Sequence, residues 1–243
     1  GGVPTQNDGT SKAKGDDWGF GYNLGLLFEP IAGTRIGVAY RSKVSHELDG
    51  SVRFNTGGPV GAGISGATGQ FIDTGAKASV TLPEIVSFGI HQDINAQWSV
   101  MAEGSWTRWS RFDELRFRFE NPLQADSVTD EDWHNAWFGA LGATYRATNG
   151  WTFRGGVAFD ESPIPDRTRT PRLPGSDRYW IAIGAKKSLL PNLDLDVGYT
   201  HIFLDDATVG LTTGGTGNTF RGNLSGEYDS SIDIFTLQVT YRF

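Results

Sequence analysis

Phe235-Thr236-Leu237-Gln238-Val239-Thr240-Tyr241-Arg242-Phe243 closes the chain with an unbroken alternation of apolar and polar residues. On a strand, Phe235, Leu237, Val239, Tyr241 and Phe243 share one face, and Thr236, Gln238, Thr240 and Arg242 the other. A face that stays apolar to its last residue suits a strand with lipid on one side and a polar lumen on the other.

The same pattern recurs upstream. Trp18, Phe20, Tyr22, Leu24, Leu26 and Phe28 alternate with Gly19, Gly21, Asn23, Gly25, Leu27 and Glu29. Ile36, Val38 and Tyr40 alternate with small and basic residues, in a strand that runs on toward Phe54. Further strands are expected over about 79–93, 98–119, 133–146, 151–160, from 179 and from 193. The parity change between Trp106 and Trp109 predicts a bulge. The count is nine.

Short turns fall near 31–34, 95–97, 148–150 and 190–192, and long loops near 56–79, 121–132, 162–176 and 207–229. Short and long connections alternate, as periplasmic turns and extracellular loops do in an outer-membrane barrel. Trp18, Trp98, Trp133, Trp151 and Tyr199 lie near strand ends, where an interfacial girdle of rings is expected. A soluble β-sandwich would also alternate, but has no need to confine its long loops to one end.

Composition agrees with a barrel. The 243 residues are 38% hydrophobic, mean hydropathy is -0.32, and no run of 18 apolar residues would make a spanning helix. A barrel exposes only alternate residues to lipid, so low mean hydropathy is expected of one. A net charge of -7 argues against nucleic acid as a partner. The absence of Cys removes disulfides, thiol catalysis and thiolate metal sites. The four His residues show no metal-ligand spacing, no nucleophile elbow is present, and no cofactor is expected.

The segment Asn149-Gly150-Trp151-Thr152-Phe153-Arg154-Gly155-Gly156-Val157-Ala158-Phe159-Asp160-Glu161-Ser162-Pro163-Ile164-Pro165 resembles a stretch late in the barrel of the FadL family of outer-membrane long-chain fatty-acid transporters. Leu82-Pro83-Glu84, Ser105-Trp106-Thr107-Arg108-Trp109-Ser110 and Asp177-Arg178-Tyr179-Trp180 resemble other stretches of it. The resemblance implies an all-β antiparallel transmembrane β-barrel, of which residues 1–243 supply one partial domain: the last nine of 14 strands. Residues 1–17 are expected to be the tail of an extracellular loop. The family's hatch and first five strands have no counterpart here. Phe243 is expected to be read by the barrel-assembly machinery, the other partners being the bilayer, lipopolysaccharide and a hydrophobic small molecule, with the protein a monomer in the bacterial outer membrane.

The implied function is passive uptake of hydrophobic compounds, long-chain fatty acids first. An aromatic-hydrocarbon channel of the same fold is the alternative. An outer-membrane hydrolase built on residues such as His134, Asp160 and Ser162 is a third reading, although an enzyme is not expected. By order, loop 56–79 corresponds to a family capture loop. Val60, Ile64, Phe71 and Ile72 are its groove candidates, against the plainer reading of a Gly-rich loop with incidental apolar residues. Inward-facing Arg154, Arg178, Arg41 and Lys186 are candidates for a fatty-acid carboxylate. Competing with that is a structural lumen network with Asp160, Glu103, Asp194 and Asp196. Arg154 and Asp160 lie about 20 Å apart along an extended strand, so each needs a neighbour elsewhere. Where the family has a basic residue at its inner site, this chain has Thr129-Asp130-Glu131-Asp132.

Overall fold

A computed structural model describes residues 9–215 and 222–243. In chain order the elements are β1 (Thr10–Asp16), β2 (Asn23–Ile31), β3 (Thr34–Arg41), β4 (Val44–Asn55), α1 (Pro59–Thr68), β5 (Thr74–Leu82), β6 (Ile85–Asp93), β7 (Trp98–Thr107), β8 (Glu114–Phe119), β9 (Ser127–Asp130), β10 (Ala136–Arg146), β11 (Trp151–Asp160), β12 (Arg178–Leu190), β13 (Leu193–Leu204), β14 (Ala207–Leu211), β15 (Leu224–Tyr228) and β16 (Ser231–Tyr241). Among the described residues no helix is long and apolar enough to cross a membrane.

The nine strands expected from alternation form one antiparallel meander, in the order β2-β3-β6-β7-β10-β11-β12-β13-β16. Its outer face carries Leu26, Phe88, Leu141, Ile183 and Leu237, all exposed. Large apolar side chains in contiguous rows would be costly against water and are at home against lipid. Strands of 8 to 13 residues, tilted, match the hydrocarbon thickness. Rings gather at the turn end: Trp98 lies 4.7 Å from Tyr145, Trp151 stacks on Phe153 at 5.8 Å, and the Lys187 ammonium sits 5.4 Å above Trp151.

The described residues hold sixteen strands, the nine expected in this sheet and seven more outside it. Three of the expected strands, those over 36–54, 79–93 and 98–119, are each two strands in different sheets. A second sheet runs β1-β4-β5-β8-β9, in the same sequence as β2-β3-β6-β7-β10 in the first. It therefore prolongs those five beyond the bilayer. Here the alternation is that of a sheet wet on one side. Val52, Ala76 and Ala78 are buried, while Lys12, Lys14, Arg53 and Arg118 on the other face are exposed. Residues 10–16, read as loop, form the edge strand of this sheet and pair with 49–55. Residues 1–8 of that stretch lie outside the described residues.

Each break between the sheets has a local cause. Pro83 lacks an N–H and interrupts β5 and β6. The parity change after Trp106 is a one-turn 3-10 segment, Trp109–Arg111, not a bulge. Residues 18–22 leave the ladder because Gly19 and Gly21 pass against β4. A Cβ at Gly19 would lie 2.4 Å from the His46 ring and one at Gly21 2.6 Å from Val44. Loop 121–132 contains β9, and loop 207–229 contains the β14-β15 hairpin, its residues 216–221 lying outside the described residues.

The end of β16 is tied to the turn before β13. Asp194, buried, accepts hydrogen bonds from Ser188 Oγ at 2.6 Å and Arg242 Nη2 at 2.7 Å, with Lys186 Nζ at 2.9 Å. Replacing Asp194 by Ala leaves two cations adjacent and uncompensated. Urea titration of the full-length protein refolded into vesicles is expected to show a lower midpoint for Asp194→Ala, with a smaller loss for Asp194→Asn.

Candidate functional site

The candidate site forms where β4 hands over to α1. Pro59 occupies the first turn of the helix, where its missing N–H costs nothing. Gly69 ends the helix in the left-handed conformation, donating its N–H to Ser65 O at 2.8 Å. Phe71 follows with φ of 56°, a conformation that a side chain rarely tolerates. The segment is held from two sides. Asn121 Nδ2 donates to Gly69 O and Phe71 N to Gln124 Oε1, each at 2.8 Å. Ser65 Oγ donates to Gln70 O at 2.7 Å, and Phe54 N to Asp73 Oδ1 at 2.9 Å.

Two cavities meet here. The first, about 320 Å³, lies between α1 and the ends of β1 and β4, against Ile64, Phe54 and Phe71. The second, about 460 Å³, runs along the apolar face of the five-stranded sheet, over Val52, Leu115, Phe117 and Phe119, with Arg172 at its margin. Phe54 and Phe71 line both. Their rings meet edge-on at 5.9 Å, and Phe54 lies 6.1 Å from Phe119. A third hollow of about 510 Å³ lies on the inner face of the nine-stranded sheet, floored by Gly37, Gly89, Ala140 and Gly142.

Of the groove candidates, Ile64 and Phe71 come together. Val60, in the first turn of α1 and 73% exposed, does not line the cavity, and neither does Ile72. The basic candidates are mostly engaged. Arg178 pairs with Asp160 at 3.2 Å and Lys186 with Asp194 at 2.9 Å. Arg154 bonds both oxygens of Asp196, at 3.1 and 3.0 Å. The cross-strand neighbour of Arg154 is Gly184, so no side chain intervenes before the next strand. Arg41 donates to Asn23 Oδ1 at 3.3 Å. The four cations lie apart, each against its own neighbour.

The acidic run is also absorbed by structure. Asp132, in the left-handed conformation, pairs with Arg167. Glu131 is buried, accepts from Trp133 Nε1 at 3.1 Å, and its carboxyl is pushed above the usual range by that burial. Arg172, absent from the expected set, forms no ion pair with a described residue. The hydrolase residues do not assemble. Ser162 Oγ donates to Gly175 O at 3.2 Å, Asp160 accepts from Arg178, and His134 Nδ1 faces Asn135 O at 3.0 Å.

Residues 2–243 match the family model described as outer membrane protein transport protein (OMPP1/FadL/TodX). The long-chain fatty acid transport protein of Escherichia coli O6:H1 is 32% identical over 210 residues, which are 83% of this chain and 46% of that protein. The 47 kDa outer membrane protein of Pasteurella multocida is 31% identical over 96% of this chain and 52% of its own length. Among solved structures, a Pseudomonas aeruginosa FadL homologue superposes with a TM-score of 0.78 at 28% identity, covering 91% of this chain and 52% of that one. The Pseudomonas putida toluene transporter TodX shares the fold, with a TM-score of 0.56 at 15% identity over 92% of this chain and 49% of its own. The chain spans about half the length of the relatives it matches.

Proposed function

This chain belongs to the OMPP1/FadL/TodX family of outer-membrane transport proteins, and from that premise we propose that the protein takes up long-chain fatty acids by passive transfer through adjoining apolar cavities. The observation that carries the reading is the pair of cavities, about 320 and 460 Å³, that share Phe54 and Phe71, with Arg172 beside the farther one. An extended acyl chain needs a long apolar path, and its carboxylate needs a cation within reach; Arg172 has no ion pair within 4 Å among the described residues, although its charge also acts on Glu131. A small aromatic hydrocarbon would need only one such cavity and no cation. The rings of Phe54, Phe117 and Phe119 suit it nonetheless, so an aromatic-hydrocarbon channel stands as the second reading.

The test is competition between oleate and toluene for the purified full-length protein, with and without Arg172→Gln. Loss of a charge-assisted contact is worth on the order of tenfold in affinity. Oleate binding is expected to weaken by about that factor in the variant and toluene binding to stay as it was. Equal loss of both, or toluene displacing oleate at comparable concentration from the unmodified protein, would count against the fatty-acid reading. Phe243, exposed beside Tyr241 at 5.4 Å, is proposed as the residue that the assembly machinery engages.

A further inference from the structure

We propose that Phe54 and Phe71 form an aromatic gate between the two cavities, and that the left-handed backbone at Phe71 is the sprung part of it. The proposal rests on the uptake reading above. Three residues line both cavities: Ser11, Phe54 and Phe71. Ser11 is small and sits opposite Phe54 in the β1-β4 ladder, so the partition consists of the two rings. Rings in edge-on contact at 5.9 Å leave no room for an acyl chain between them. An acyl chain that passes directly from one cavity to the other therefore displaces a ring.

Phe71 is the ring able to move. Phe54 lies within β4, pinned by ladder bonds to β1 and by Asp73 on its N–H. Phe71 lies between strands, in a left-handed conformation that costs energy for a residue with a side chain. Its own N–H has one partner, the side chain of Gln124, at 2.8 Å on an exposed loop. The flanking carbonyls of Gly69 and Gln70 are held separately, by Asn121 and Ser65. Breaking the Gln124 bond alone frees Phe71 to return to negative φ, which carries its ring out of the partition while its neighbours stay anchored. Such an element has two arrangements separated by one hydrogen bond and a strained dihedral, as a switchable partition requires.

The alternative is that the ring pair merely packs the loop. Stopped-flow mixing of 11-(dansylamino)undecanoic acid with the full-length protein in nanodiscs, against empty nanodiscs, separates the two. The gate predicts a fast capture phase followed by a slower transfer phase. It also predicts that the ratio of slow to fast rate follows ring size at position 71. That ratio is expected to rise about tenfold in Phe71→Gly, which keeps the left-handed backbone and removes the ring, to rise less in Phe71→Leu, and to fall in Phe71→Trp. Gln124→Ala, with the ring intact, is expected to raise it about threefold, equivalent to losing one modest hydrogen bond. A packing role predicts instead lower thermal stability, with no ordering of the ratio by ring size. Two phases whose ratio is the same in all four variants overturn the gate and leave the uptake reading intact. A single phase that Phe71→Gly does not change does the same. No dansyl binding by the unmodified protein overturns both.

Discussion

Glu84→Ala is expected to cause a large loss of stability outside the membrane-spanning strands. Glu84 is 8% exposed and sits where β5 breaks into β6. It accepts a bidentate pair from Arg111, whose Nη2 lies 2.7 Å from Oε1, and a longer bond of 3.3 Å from Arg108. Arg108 N also donates to Glu84 O at 3.1 Å. One carboxylate therefore joins the Pro83 break to the 3-10 turn between β7 and β8. These are neighbouring junctions where the membrane sheet passes into the five-stranded sheet. The Arg111 bonds hold the Glu84 carboxyl well below its usual 4.5, at about 2. A shift of that size corresponds to about 3 kcal/mol at most, and screening at a junction reached by water lowers this to about 2 kcal/mol. The sign follows from the lowered value: the contribution is complete above about pH 4.5 and is lost as pH falls toward about 2. Thermal unfolding of the full-length protein followed by electrophoretic mobility should show this. Between those pH values the unmodified protein is expected to lose stability relative to Glu84→Gln, so that the two converge in acid. A constant gap would contradict the account. Arg111→Ala should cost nearly as much, and the double variant less than the sum.

Arg169→Met is expected to detach the 162–176 connection. Arg169 is 5% exposed and every donor group has an acceptor. Nε donates to Gly175 O at 3.0 Å, Nη1 to Asp166 at 2.6 Å and to Thr208 O at 3.1 Å, and Nη2 to Ile164 O at 3.3 Å. The guanidinium thus closes the loop on itself and fastens it to β14, where Ala207 and Val209 are buried. Removing it takes a donor from the Ile164, Thr208 and Gly175 carbonyls, of which Gly175 O keeps Ser162 Oγ, a loss of about 3 kcal/mol. Because the nine-stranded sheet does not depend on these bonds, the loss should be local. Hydrogen exchange should quicken across residues 162–176 and 207–211 with β10–β13 unchanged. Since Arg172 belongs to the same connection, oleate affinity should fall along with it. Protection unchanged in that loop would show that the buried cation is dispensable.

The alternation that ends at Phe243 was legible because a bilayer imposes a strict period of two on every strand that crosses it. The prolongation beyond the bilayer was not. Across Ser42-Lys43 and Pro83-Glu84 apolar residues keep recurring at even positions, yet their surroundings change from lipid to a cavity. Strand β1 carries no apolar row at all. It is held by its ladder to β4, which sequence periodicity cannot reveal. At the cavity, Ile64 and Phe71 come together, apolar residues that stand out in a Gly-rich stretch. Val60 and Ile72 lie away from it; a loop reading contained neither α1 nor the left-handed turn at Phe71. Leu115, Phe117 and Phe119 alternated visibly with Arg116 and Arg118 but were read as the end of one strand over 98–119. Arg172 was missed for a different reason. Only tertiary contacts separate it from Arg167, committed to Asp132, and from Arg169, which is buried.

We propose that a long-chain carboxylate is transferred through these cavities. That transfer is tested most directly by uptake of labelled oleate in cells that carry the full-length gene, its Arg172→Gln form, or a deletion. The account predicts uptake with the gene, several-fold less with Arg172→Gln at equal outer-membrane abundance, and background uptake in the deletion. Equal uptake with and without the gene would contradict it.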